Sequence, residues 1–226
     1  MKVAVAGPTG VLGRALIPRL LAQGHSVVAL ARSLDKAQAV LPAAAEIRSF
    51  DMLAPEQRPG LPALLQGCDA VLHIATAIPA DMDAPGAWDA NTRLRTEATE
   101  ALLTAARQAG VSRYLQQSIT MAYPDCGDAW IDESTPLDQT SRRGGVTNPV
   151  VTMEGLVRTL AEGQMAWCIL RGGSFVGPGT FQQSEIAKLK AGTLAVPCDG
   201  RNYVLRRRAA VRAQRLDLQH CGRTAA

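Results

Sequence analysis

The chain of 226 residues is long enough to bury a core of its own, and its 47% apolar and 19% charged residues are typical of an ordinary globular protein. No run of about 18 apolar residues occurs, so no membrane-spanning helix is predicted. The net charge of +4 arises near the C-terminus, where residues 201–226 hold seven Arg and one Asp. Residues 1–200 then carry 17 basic and 19 acidic side chains, a net charge of −2, which argues against nucleic-acid binding by the body of the chain.

Cysteine usage indicates a reducing environment. The five cysteines are odd in number and widely spaced: Cys68, Cys126, Cys168, Cys198 and Cys221. They show neither the spacing of metal ligands nor a disulfide framework, so we predict no metal site and a cytoplasmic location. The chain also enters an apolar segment after a single Lys, without a signal-peptide pattern.

A glycine-rich turn follows the first predicted strand, residues 2–6. Gly7, Gly10 and Gly13 have the spacing G-x-x-G-x-x-G, and a helical apolar stripe then continues to Gly24. Gly7 permits a sharp turn, Gly10 leaves room for backbone N–H groups to approach a pyrophosphate, and Gly13 lets the helix pack closely on the strand. The pattern predicts a dinucleotide-binding turn; the alternative is a strand–helix turn that binds nothing.

The end of the second predicted strand, residues 25–30, indicates which dinucleotide binds. In dinucleotide sites this strand end meets the adenosine ribose. An acid there binds the free 2′-hydroxyl of NAD, whereas Arg32 offers charge-assisted bonds to the 2′-phosphate of NADP. We therefore predict NADP, with NAD as the alternative if Arg32 is only a solvated residue at a strand end.

The next elements extend the alternation of strands and helices. Ser33 is placed to cap a short helix over residues 34–40. Residues 46–50 are predicted to form the third strand, with Asp51 at its tip. Asp51 either accepts a hydrogen bond from the adenine amino group or caps the turn.

The fourth predicted strand, residues 70–75, follows a helix of modest quality over residues 55–66 that is interrupted by prolines. His73 lies within this apolar strand, and we interpret it as a packing residue rather than a catalyst. The strand delivers Ala75 and the residues after it to the edge where a doubly wound sheet opens its ligand crevice.

The middle of the chain contributes the candidate active-site segment. A long helix is predicted over residues 87–108, and a fifth strand over residues 111–117 delivers residues 118–123 to the crevice edge. Residues 124–148 are polar and rich in turn formers, which is long for a structureless loop. We interpret them as a functional segment that covers the site.

The remaining elements complete the pattern of a doubly wound fold. A helix led in by Pro149 spans residues 149–163, a sixth strand spans residues 166–171, and an amphipathic helix spans residues 181–191. Strands that alternate with helices predict an α/β fold with a parallel sheet covered on both faces. We predict an NAD(P)-binding domain over residues 1–180, and a partial substrate lobe with a basic tail over residues 181–226.

Five pieces of the chain together resemble one protein family, the extended and atypical short-chain dehydrogenases/reductases of the NAD-dependent epimerase/dehydratase group. In chain order they are the turn GPTGVLG, Asp51, Asn91, the segment 118–123 and the stretch LRGGSFVGPG. The likeness covers residues 1 to about 200. It implies a Rossmann-type doubly wound sheet, a fragment of a small C-terminal lobe, and a structural hydrogen bond from Asn91.

The resemblance also implies which residues contact the coenzyme. These residues follow the carboxyl ends of the predicted strands: Gly7, Thr9, Gly10, Val11, Leu12, Gly13, Arg32, Asp51, Met52, Ala75 and Ser118. A homodimer is left open.

The family's catalytic pair, Tyr-x-x-x-Lys, is replaced here. The corresponding positions hold Val150, which cannot exchange a proton, and Glu154, whose charge cannot lower the pKa of a phenol. By the closest alignment the position of the family's catalytic Ser/Thr falls on Ile119, with Ser118 and Thr120 beside it. Tyr123 is a surrogate acid; the alternative is a tyrosine that packs under the following loop.

The resemblance implies an NAD(P)-dependent oxidoreductase or an epimerase/dehydratase that acts on a small carbonyl or hydroxyl compound. Ser118, Thr120 and Tyr123 are the predicted donors to its oxygen. One alternative is a non-catalytic NADP-binding redox sensor, which the missing Tyr/Lys pair favours. Another is an inactive remnant.

The likeness stops at residues 197–203. The Arg/Ala-rich residues 204–226 have little apolar patterning. They are either a basic amphipathic helix for a partner or nucleic acid, or a truncated or frame-shifted end, and we favour truncation.

Overall fold

The computed structural model describes residues 1–79, 81–82, 84–140, 144–180 and 182–194. These residues belong to two compact units, one formed by Met1–Arg171 and one that begins at Gly172. The division predicted from the sequence at residue 180 stays a prediction, as does the interpretation of residues 204–226, which lie outside the described residues.

Strands and helices alternate through the first unit. The strands are β1 Lys2–Ala6, β2 Ser26–Ala31, β3 Glu46–Ser49, β4 Ala70–His73, β5 Arg113–Ile119 and β6 Ala166–Gly172. The helices are α1 Val11–Ala22, α2 Leu34–Val40, α3 Leu61–Leu65, α4 Asp89–Arg93, α5 Thr99–Gln108 and α6 Gly144–Ala161. Short 3-10 helices form at Pro55–Gly60 and Thr120–Ala122, and a π-helical turn at Leu94–Ala98 joins α4 to α5.

The six strands form one sheet in the order β3-β2-β1-β4-β5-β6, with the strand pairs from β3 to β5 parallel. Alternate residues of β1 serve opposite layers of the core. Val3 and Val5 pack with α1 and α2, whereas Ala4 and Ala6 pack with α3, α5 and α6. Burial on both faces explains why the central strands are almost wholly apolar. The predicted doubly wound α/β fold is therefore confirmed, and the carboxyl ends of its strands share one edge.

Helix α6 begins earlier than the sequence predicts. The start expected at Pro149 is wrong, because the helix runs from Gly144. A proline removes one backbone N–H and crowds the carbonyl four residues before it, which here belongs to Gly145 in the first turn. The disturbance is confined to the helix end, so the helix continues through it.

The second unit contains α7, Gln182–Lys190. The amphipathic pattern predicted for this helix is not matched by burial, since none of its described residues is buried. Across the described parts of both units, no helix is long and apolar enough to cross a membrane.

Candidate coenzyme and active site

Two of the three glycines after β1 are required by the protein's own packing. Gly7 has a φ of +92°, and a Cβ added to it would lie 2.5 Å from Cα of Ala75, just beyond β4. A Cβ on Gly13 would lie 2.3 Å from the carbonyl oxygen of Pro8. Both distances are far shorter than any real contact of a Cβ, so these glycines hold the turn against β4 and α1 against the turn.

Gly10 differs from both. Its φ of −70° and ψ of 172° suit any residue, and an added Cβ would meet only Gly7 O, at an ordinary 3.5 Å. It is the N-cap of the 12-residue helix α1, which has no acid in its first turn and no side-chain cap. Among the described residues, the exposed space over Gly10 at the positive end of α1, which we call the Gly10 cradle, is open only because Gly10 has no side chain. This geometry fits a diphosphate.

Other residues implied as coenzyme contacts lie along the same edge of the sheet. Thr9 is exposed beside Gly10, while Val11 and Leu12 are half-buried in the first turn of α1. Arg32 is exposed and directly follows β2. Ala75 is half-buried against Gly7. The structure therefore brings the turn and Ala75 together, with Arg32 after the neighbouring strand.

Asp51 serves the turn that follows β3. Its Oδ1 accepts a hydrogen bond from the Leu53 backbone at 2.9 Å, and its own N–H donates to Gln57 Oε1 at 2.9 Å. Met52 is buried beside it. Turn capping, one of the two roles expected for Asp51, is thus present, and contact with adenine stays a prediction.

His73 belongs to a buried polar network between β4 and β5. The Gln116 side-chain amide lies within 2.9 Å of His73 Nδ1, and Tyr114 donates its hydroxyl to Gln116 Oε1 at 3.1 Å. Burial lowers the pKa of His73 to about 4 and raises the pKa of Tyr114. His73 is therefore neutral near pH 7 and serves packing, as the sequence indicates.

Asn91 ties helix α4 to the segment that follows β4. Its Oδ1 accepts a hydrogen bond from the Ala77 backbone at 3.2 Å, and its side chain is buried. This is the kind of structural hydrogen bond that the family resemblance implies.

The three predicted donors after β5 have different surroundings. Ser118 is buried and donates its hydroxyl to Glu154 Oε1 at 2.7 Å, so it faces α6 rather than the sheet edge. Thr120 is exposed in the 3-10 turn, and Tyr123, 9% exposed, follows that turn. Thr120 is thus the exposed one of the three, and Tyr123 is buried just after the same turn.

Glu154 and Arg171 form a buried ion pair behind this edge. Arg171 donates from Nε to Oε1 at 2.9 Å and from Nη2 to Oε2 at 2.7 Å, while Arg158 Nη2 lies 3.6 Å from Oε2. Burial raises the pKa of Glu154. Hydrogen bonds from Arg171 and Ser118, together with the nearby cationic charges, lower it by more, so the net pKa lies below its ordinary value. The hydrogen bond to Glu154 raises the pKa of Arg171. Both partners are therefore ionised.

Arg171 also reaches Tyr123. Its Nη1 donates to the phenol oxygen at 2.6 Å, and its guanidinium carbon lies 4.8 Å from the ring centroid. Sequence reasoning did not single out Arg171. Two signals indicate it: a cation at the carboxyl end of a strand, and an acid, Glu154, on the buried stripe of a helix, which needs a partner.

Val150, the residue at the position of the family tyrosine, is fully buried on α6. It packs in a small cluster with Ala122 and Met153. This position is therefore part of the core and has no access to a ligand.

Comparisons with known proteins agree with this architecture. A model described as the NAD dependent epimerase/dehydratase family matches residues 3–195. The chain is 35% identical over 209 residues to a 3-diazoavenalumate denitrifying reductase of Streptomyces sp. The aligned region covers 88% of this chain and 66% of that protein. It is 34% identical over 175 residues to Photosystem II assembly factor Ycf39 of Synechocystis sp., which covers 74% of this chain and 51% of that protein.

A solved structure shares both the fold and some of the sequence. It is a short-chain dehydrogenase/reductase superfamily protein of Agrobacterium tumefaciens with bound NAD. The TM-score is 0.60 and the identity 26%, over 76% of this chain and 48% of that chain. The present chain thus spans 66% of the first relative and about half of the other two proteins.

Proposed function

Because the chain belongs to the NAD-dependent epimerase/dehydratase family, we propose that it is an NADP-dependent reductase of a small carbonyl compound. The observation that carries this proposal is the cradle at Gly10. Neither the backbone angles nor a close contact among the described residues requires a glycine at position 10. A diphosphate bound on the first turn of α1 would require one. The Agrobacterium structure, which contains NAD, supports a nicotinamide coenzyme in general.

The preference for NADP rests on Arg32. This side chain is exposed at the carboxyl end of β2, where the adenosine ribose lies in dinucleotide sites. A guanidinium binds a 2′-phosphate through paired charge-assisted hydrogen bonds, which a 2′-hydroxyl does not offer.

Reduction, rather than epimerisation, is favoured by the name of the Streptomyces relative, which is a reductase. The coenzyme, when bound, supplies the hydride. Thr120 and Tyr123 are the groups of this chain that would donate to the substrate's oxygen, since both follow β5 at the crevice edge. Ser118 would act indirectly, through its bond to Glu154.

The second candidate function is a non-catalytic NADP-binding regulator. Val150 and Glu154 replace the catalytic pair, and the Synechocystis relative is named an assembly factor. A regulator binds the coenzyme without turnover and changes its partner binding with the oxidation state of NADP. A cytoplasmic location and a homodimer stay predictions for either function.

Calorimetric titration with NADPH and NADH, followed by NADPH oxidation with a panel of α-diketones, quinones and aldehydes, tests the proposal. We expect NADPH to bind more tightly than NADH and at least one carbonyl compound to be reduced. Tight binding without turnover would favour the regulator, and a folded protein that binds neither coenzyme would refute both functions.

A further inference from the structure

We infer that Arg171, held by Glu154, is a positioning residue for Tyr123, and that Tyr123 is the group that gives its proton to the substrate's oxygen. The inference rests on the proposed reductase function and deepens it. In the family, one helix carries both the tyrosine that passes the proton and the cation beside it. Here the tyrosine follows β5, and the cation is the penultimate residue of β6.

The contact between the two residues is close and specific. Arg171 Nη1 donates to the Tyr123 oxygen at 2.6 Å, in a short hydrogen bond from a charged donor. In this bond the phenol oxygen is the acceptor, so negative charge that develops on it faces a guanidinium. The ring itself lies 4.8 Å from the guanidinium carbon, so the phenol is held along its length as well as at its tip.

The guanidinium is itself fixed. Its Nε and Nη2 are both bonded to Glu154, whose side chain is 3% exposed, and the Arg171 side chain is 12% exposed. Ser118 donates to the same carboxylate at 2.7 Å. Because the guanidinium is a planar fork, fixing two of its nitrogens on Glu154 also fixes the direction of Nη1.

This network gathers buried side chains from three elements behind the edge of the sheet. Ser118 comes from β5, Glu154 from α6 and Arg171 from β6, all within the first unit. β5 lies two strands from β1 in the sheet, and the segment that carries Tyr123 and the turn that carries Gly10 each follow the carboxyl end of their strand. An orientation fixed before any ligand arrives is what efficient proton transfer requires.

The chemical step balances without another reactant. A bound reduced coenzyme would supply hydride, with its two electrons, to the carbonyl carbon, whose π bond to oxygen breaks. Tyr123 transfers its hydroxyl proton to the oxygen, which becomes the alcohol. The phenolate that remains is stabilised by Arg171 and regains a proton from water. Arg171 keeps its own protons throughout, because guanidinium is not deprotonated in proteins.

A double-mutant cycle tests whether Arg171 acts through Tyr123. Y123F removes the proton donor without stranding a buried charge. E154Q/R171M removes the cation, and its glutamine keeps an acceptor for Ser118. We expect Y123F to lower kcat at least about 100-fold in the carbonyl reduction assay, with the Kd for NADPH unchanged. E154Q/R171M should lower kcat about tenfold or more in the wild-type background and have no further effect in the Y123F background. R171K made in the wild-type background keeps a cation beside Tyr123, so it should lose less kcat than E154Q/R171M.

A spectroscopic measurement gives a readout independent of turnover. The chain has three tyrosines, so protein labelled with ¹³Cζ-tyrosine gives three resonances, and Y123F identifies one of them. At fixed pH, E154Q/R171M should shift the Tyr123 resonance and leave that of Tyr114, which is bonded to Gln116, in place.

Additive losses of kcat, or a Tyr123 resonance that does not respond to E154Q/R171M, would overturn the inference. If NADPH binds and carbonyl compounds are reduced in either case, the proposed function stands while the inference fails. If no compound is reduced, the reductase proposal and Tyr123 as its proton donor both fail, and the resonance then shows only whether the contact exists.

Discussion

Both carboxylate oxygens of Glu154 are bonded to Arg171, at 2.9 and 2.7 Å, in a pair that is almost wholly removed from solvent. Two charges taken out of water lose hydration that their mutual attraction has to offset. Such a pair is therefore sensitive to the loss of one partner, because the remaining charge is left buried and uncompensated.

R171M alone should destabilise the fold by about 3–5 kcal/mol, since it removes the bidentate partner of the buried Glu154 carboxylate and leaves only the more distant Arg158 and the Ser118 hydroxyl. E154Q/R171M should recover most of this loss, because it removes both charges together. Urea denaturation of the wild type and both variants at pH 7 measures the effect. Equal stability of the single and double variants would contradict the buried pair.

The glycine turn supplies a matched pair of variants. G10A should leave the free energy of unfolding within about 0.5 kcal/mol of the wild type, because its Cβ meets only an ordinary contact at 3.5 Å. It should weaken NADPH binding at least about tenfold, because the methyl group occupies the cradle. G13A should instead destabilise the protein by about 1–3 kcal/mol, since its Cβ would overlap Pro8. Thermal unfolding and calorimetric titration separate the two effects.

Loss of NADPH affinity in G13A beyond that in G10A, with unchanged stability, would reverse this assignment. It would mean that Gly13 rather than Gly10 faces the diphosphate.

Arg32 should determine the choice between the two coenzymes. R32S removes two charge-assisted hydrogen bonds to the 2′-phosphate, so we expect NADPH binding to weaken about 10- to 100-fold and NADH binding to change less than about twofold. R19S, which removes an exposed arginine in the last turn of α1, is the control for lost positive charge. Equal weakening of both coenzymes would show that Arg32 does not read the ribose.

His73 should make stability depend on pH in the weakly acidic range. Its pKa is about 4 in the folded protein and near 6.5 in the unfolded chain, so between these values the unfolded chain binds the extra proton. Stability is full above about pH 6.5 and falls as the pH is lowered toward 4, by a total on the order of 3 kcal/mol.

Unfolding in urea at pH 7, 6, 5 and 4.5 measures this slope. H73Q should flatten it over that range. Y114F perturbs the same buried network without removing the imidazole, so it should keep the wild-type slope. A slope that survives in H73Q would assign it to other groups.

Local patterns predict most of the fold and little of the network behind its edge. The apolar run of β1, the glycines after it and Ser33, whose hydroxyl accepts from the Lys36 backbone, act over short sequence distances and are visible in the sequence. The pairing of Glu154 with Arg171 depends on how α6 and β6 lie against each other, which no local pattern encodes.

The π-helical turn at Leu94–Ala98 is similarly hidden. No glycine or proline interrupts residues 89–108, so the sequence predicts one regular helix there. The roles of the predicted site residues stay predictions for the same reason, because they depend on a ligand that no local pattern describes.

Because Gly7 has no side chain, the turn after β1 contacts the segment that follows β4 directly. The turn after β1 rests directly on the main chain of Ala75, and two residues later Ala77 is tethered by the amide of Asn91. A shift at the start of α4 is therefore transmitted through this short span to the backbone that would grip the coenzyme. Substitutions of Asn91 should therefore alter the affinity for the coenzyme.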